Sequence, residues 1–162
     1  MRWEKISSSA SNEVYDLWHN EKKLLTLTLH LFSNTARVES ADHKRVFLIR
    51  KEGFFRNKTV LRNEYGIKIG ELGLENETSF IDVNDERFYY HLNNQPVGEL
   101  VLYKDSKEQP LVICQMDPTD GNAFVRVQKD KKFISQSGLL LALCWYLFLP
   151  VRIEQMAEGI PA

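Results

Sequence analysis

A run of eleven consecutive apolar residues, Leu139 to Leu149 within GLLLALCWYLFLP (138–150), constrains this chain more than any other feature. A segment apolar on every side must be surrounded on every side, by lipid or by protein. Ser135-Gln136-Ser137 offers N-cap residues and Pro150 stands at the far end, so the pattern predicts a helix over about 136–150. Crossing a bilayer takes about 20 apolar residues, and runs of 10–14 are more often core helices. The uncharged window Phe133–Val151 is 19 residues, but its first third holds Ser135, Gln136, Ser137 and Gly138. The run therefore predicts a buried helix, with a tail-anchored membrane protein carrying a β-rich cytosolic domain as the competing reading.

The preceding residues supply something to bury it in. Up to about residue 128 the dominant period is two, clearest in Thr26-Leu27-Thr28-Leu29-His30-Leu31, which puts leucines on one face. Similar short runs occur at Trp3–Ile6, Val14–Trp18, Ala36–Glu39, Arg45–Arg50, Thr59–Asn63, Ile67–Leu74 and Phe80–Val83. They continue at Arg87–Leu92, Val97–Tyr103, Leu111–Gln115 and Ala123–Val127. Turn residues such as Asn20-Glu21, Asn84-Asp85 and Asp117-Pro118-Thr119-Asp120-Gly121-Asn122 separate them. Eleven or twelve closely spaced strands without intervening helices predict antiparallel hairpins in a barrel or sandwich. A helix of about 14 residues is ~21 Å long, close to a six-residue strand at ~3.3 Å per residue, and so fits lengthwise inside a barrel. The pattern Ile69-Gly70-Glu71-Leu72 recurs as Val97-Gly98-Glu99-Leu100; glycines inside strands mark bulges or close approaches. The 162 residues suit one domain, 1–162, with strands over about 3–128 and the helix behind them.

Many short antiparallel strands closed by one C-terminal hydrophobic helix resemble the tubby C-terminal-like superfamily, which includes the phospholipid scramblases and the LURP-one-related proteins. The resemblance lies in Val46-Phe47-Leu48-Ile49-Arg50-Lys51, Ile69-Gly70-Glu71-Leu72, Phe80-Ile81-Asp82-Val83 and the closing Gly138–Leu149. It implies an all-β fold with one helix, a closed antiparallel barrel of about twelve strands around that helix. It also implies contact with membrane phospholipid, phosphoinositide included. A scramblase-type proline-rich N-terminal tail is missing, and no basic phosphoinositide pocket aligns residue by residue. Fold alone does not carry function.

Charge is asymmetric along a chain whose net charge is only −1. Residues 44–62 hold Lys44, Arg45, Arg50, Lys51, Arg56, Lys58 and Arg62 against Glu52, a balance of +6, whereas residues 63–99 balance at −6. Phe54 and Phe55 occupy a hairpin tip among these cations. Aromatics at headgroup level beside cations that attract anionic lipid give weak peripheral membrane binding, so these nine residues form the candidate lipid-binding site. An acidic protein is the alternative partner. In the competing arrangement the two phenylalanines plug the barrel and the cations pair with the acidic half. Nucleic-acid binding through Phe88, Tyr89 and Tyr90 is disfavoured, because those aromatics lie in the acidic half and the chain is not basic.

No catalytic constellation stands out, and the expectation is a non-enzymatic binding module without cofactor or metal. His19, His30, His43 and His91 are scattered singly. The segment 117–122 lacks the alternating ligands and closing glutamate of a calcium loop. Asp82, Asp85 and Glu86 read as a solvated turn. Cys114 and Cys144 sit in apolar runs, as small buried hydrophobes of a reducing compartment do. MRWEKISSSASNE has no apolar core of a signal peptide, so the expected setting is the cytoplasm, with peripheral membrane contact. An open-barrel carrier or hydrolase of a small molecule is a further alternative; it requires an interior that the helix leaves vacant.

Overall fold

The computed structural model describes residues 1–33, 35–41, 45–54, 58–94, 98–116, 123–127 and 138–157, without the side chains of 123 and 150–157. Twelve strands follow in order: β1 (Arg2–Ser8), β2 (Asn12–His19), β3 (Lys22–His30), β4 (Thr35–Ser40), β5 (Val46–Glu52) and β6 (Lys58–Asn63). Then come β7 (Lys68–Glu75), β8 (Thr78–Val83), β9 (Glu86–Asn93), β10 (Glu99–Tyr103), β11 (Val112–Met116) and β12 (Ala123–Val127), before a single helix α1 (Gly138–Ala157). Each strand pairs antiparallel with its sequence neighbours, and β1 pairs with β12 to close the barrel. That seam is short: Arg2 registers with Phe124, and the backbones of Met1 and Val125 exchange hydrogen bonds of 3.3 Å.

Local chemistry explains the meander. Asn20-Glu21, Asn76-Glu77 and Asn84-Asp85 all have positive φ, from 47° to 64°. Positive φ at both central residues is the type I′ signature that matches strand twist, and asparagine tolerates it best after glycine. One bend is built differently. The β6–β7 register shifts between Leu61 and Arg62, beside Gly70. A Cβ at Gly70 would overlap the Asp82 carbonyl oxygen and come within 2.8 Å of Leu61 Cδ1, so the strands can approach there only over glycine. At the echo of this motif Gly98 is buried ahead of β10, but the described ladders on both sides of β10 run without a shift.

The hairpin turns define two rims. The lower rim carries the β2–β3, β4–β5, β6–β7, β8–β9 and β10–β11 turns; the upper rim carries the others. Inward-facing residues, among them Leu17, Leu27, Ile49, Leu61, Ile81, Leu100 and Leu102, form one core with the helix. Helix α1 starts low, where Gly138 lies against Leu25, and rises until Tyr146, Leu147 and Leu149 stand beside Leu29, Leu31 and Thr35 at the upper rim. Leu139 to Trp145, Phe148 and Leu149 are buried, and Tyr146 and Leu147 are half-buried. The apolar run is thus the filling of the barrel. No helix among the described residues is long and apolar enough to cross a membrane, and the segment a tail anchor would need is inside the protein. The helix packs against β3, β4, β10 and β11, where Ala36, Cys114, Ala142 and Cys144 are small enough to let it close in. One expectation fails: α1 continues seven residues past Pro150. Proline removes one helical hydrogen bond and favours a kink, but it does not forbid continuation. The Ser135–Ser137 N-cap lies outside the described residues.

Candidate binding surface

The basic stretch 44–62 folds into β5, β6 and their connections, and alternation along antiparallel strands scatters its charges. Lys44, Phe55 and Arg56 lie outside the described residues. Arg45 is exposed at the lower rim, about 23 Å below the β5–β6 tip at ~3.3 Å per residue. Arg50 and Arg62 project from the outer wall and converge on Glu52. Arg50 Nε donates to Glu52 Oε1 at 2.9 Å, while Arg62 Nε and Nη2 donate to Oε1 and Oε2 at 2.7 and 2.8 Å. Arg62 Nη1 also donates to the Gly66 carbonyl at 2.7 Å. This fork is the bidentate geometry that strengthens an arginine–carboxylate pair.

The Arg62 hydrogen bonds, aided by both guanidinium charges, pull the Glu52 carboxyl from 4.5 down to about 2. A depressed native pKa stabilises the fold above the unfolded value and loses that contribution as pH falls through the native one. We therefore expect the β5–β6 hairpin to weaken selectively between about pH 4.5 and 2. Carboxyl-carbon NMR titration should place the Glu52 midpoint near 2; an ordinary midpoint near 4.5 would mean that the fork does not form.

Three members of the stretch remain together at the upper rim: Lys51, Phe54 and Lys58. Lys51 registers with Thr59, and Glu52 with Lys58. Lys51 shares the inward parity of Phe47 and Ile49 but, at the end of the strand, emerges at the barrel mouth. Neither lysine forms an ion pair among the described residues. Phe54 is 95% exposed, so it does not plug the barrel. Sequence reasoning overlooked the adjoining β3–β4 turn, where Phe32 is 84% exposed and Leu31 47%. An aromatic placed between two clean strand patterns, as Phe32 is, was the available signal. With Ile6 and Leu74, these make five of the seven large exposed hydrophobics among the described residues, all toward the upper rim.

Among the described residues no ion pair joins residues 63–99 to the cations of 44–62. Glu71 pairs with Lys68 at 2.6 Å, Asp82 and Glu75 with Arg87 at 2.7 Å each, and Glu86 with Lys104 at 2.8 Å. Asp82, Asp85 and Glu86 are thus two wall ion-pair partners and a turn residue. Phe88 faces the core, and Tyr89 stacks on Tyr103 with centroids 5.9 Å apart. His30 Nδ1 lies 2.7 Å from Asn12 Oδ1 and His91 is exposed, while His43 and the 117–122 segment lie outside the described residues. No cluster of three or more metal-ligating side chains occurs among the described residues. Cys114 and Cys144 are free and buried.

A cavity of about 380 Å³ opens at the mouth, lined by the upper end of α1 and by residues of β2 to β6. Lys51, Thr59, Tyr146, Leu29, Leu147 and Leu149 line it. The surface rests on its own geometry: no family model, no curated protein and no solved structure matches this chain.

Proposed function

We propose that this protein is a non-enzymatic binding module whose upper rim docks on anionic phospholipid. The observation that carries the reading is the pair of exposed aromatics, Phe54 and Phe32, on adjacent hairpins beside Lys51 and Lys58, which no carboxylate claims among the described residues. Exposed aromatic tips are costly in water and gain by entering the headgroup region, where each nearby lysine adds about 1 kcal/mol on an anionic surface. The docking sector is β3–β6; the neighbouring β7–β8 turn on the same rim carries exposed Glu77, which an anionic surface repels. The resemblance in layout to tubby-like barrels is in line with this reading, and phosphoinositide is one headgroup among the candidates.

Vesicle sedimentation is the test. Vesicles containing phosphatidylserine or phosphoinositide should retain the protein at low salt and release it as salt rises, whereas phosphatidylcholine vesicles should not. Phe54→Asp or Lys58→Glu should reduce binding about tenfold, and Arg45→Glu, on the opposite rim, should leave it unchanged. Absence of binding, or equal sensitivity to all three substitutions, would reject this docking face.

A further inference from the structure

We propose that the mouth cavity is a binding site for one single-chain amphipathic anion, an aliphatic chain ending in a carboxylate or phosphate. Its volume of about 380 Å³ falls in the range of small-ligand pockets, about 300–1,000 Å³. One wall is aliphatic: Leu29 from β3, with Leu147 and Leu149 from α1. The same lining holds the Lys51 ammonium and, directly across the ladder, Thr59. Neither of these side chains, nor the hydroxyl of Tyr146, makes a hydrogen bond or ion pair among the described residues.

Glu13 also lines the cavity and would repel an anion if its charge were uncompensated. It is compensated: Lys5 Nζ donates to Oε1 at 2.7 Å, Tyr15 Oη to Oε2 at 2.8 Å and Ser8 to Oε1 at 3.5 Å. The basic groups of the lining are His30, whose Nδ1 lies 2.7 Å from Asn12 Oδ1, and Lys51, which has no carboxylate partner among the described residues. An amphipathic anion satisfies both the Lys51 cation and the leucines. The helix fills the barrel axis, so this is a site at the mouth and not the open interior of a carrier.

Calorimetric titration of the full chain with dodecanoate and dodecyl phosphate, each below its aggregation concentration, tests the proposal. At least one should bind saturably at 1:1, and the tighter of the two identifies the head group. Lys51→Met should weaken binding about tenfold or more, the loss expected for a charge-assisted contact. Thr59→Phe, which fills the cavity without altering charge, should abolish it while vesicle binding persists. Phe54→Asp should break vesicle binding and leave the titration unchanged, so the two proposals fail separately. Binding by neither ligand, or binding indifferent to both Lys51→Met and Thr59→Phe, overturns the site.

Discussion

Replacing Trp145 by alanine should destabilise the protein by about 3–5 kcal/mol, the cost of truncating a buried tryptophan. Trp145 is 1% exposed at the centre of an aromatic cluster. Its ring stacks on Trp3 at 5.2 Å, meets Tyr15 edge-on at 5.8 Å and lies 5.9 Å from Phe148. The helix is thereby joined to β1 and β2, next to the seam where β1 meets β12 in its short register. For a chain of this size 1 kcal/mol moves the melting temperature by about 2–4 °C, so the expected fall is about 6–20 °C. The Val125 amide, bonded across the seam, should lose hydrogen-exchange protection first. Phe54→Ala, at a side chain 95% exposed, should change stability by about 0.5 kcal/mol or less. Equal effects of the two substitutions would mean that the helix does not fill the barrel.

The second large effect is thiol protection. Cys114 on β11 and Cys144 on the helix are both 0% exposed. Burial pushes the Cys114 thiol up to about 12 and raises Cys144 as well, and only the thiolate reacts. Modification must then await opening, and open populations of about 10⁻³ to 10⁻⁶ set the expected slowing against unfolded chain. A thiol reagent at pH 8 should leave both cysteines untouched while the denatured protein reacts completely. Rapid labelling of Cys144 alone would place the helix outside the strands.

Much of this architecture is legible in the residues, and the physical reasons differ from element to element. Strands such as β3 announce themselves because one face is leucine and the other threonine. The helix announces its burial because no face of Leu139–Leu149 is polar. Its end is not legible, since proline weakens a helix without dictating where it stops. The basic stretch is harder. Val46-Phe47-Leu48-Ile49 is continuously apolar, so period two does not tell which residues face inward. Consequently nothing in the sequence separates Arg50, on the outer wall with Glu52, from Lys51, at the mouth. Contiguous charge became a structural fork, a rim pair and a remote arginine. Phe32 joins the surface only through the pairing of β4 with β5, a tertiary fact that no local pattern carries.

The protected native thiols make the most direct functional measurement practical, because one introduced cysteine can be labelled alone. A nitroxide at Phe54→Cys, on the upper rim, is compared with one at Asp85→Cys, on the lower rim, by oxygen accessibility on phosphatidylserine vesicles. The label at 54 should move to headgroup depth or below while the label at 85 stays aqueous. A label at 54 that remains aqueous on protein-loaded vesicles, or equal immersion of both labels, would contradict docking through the upper rim.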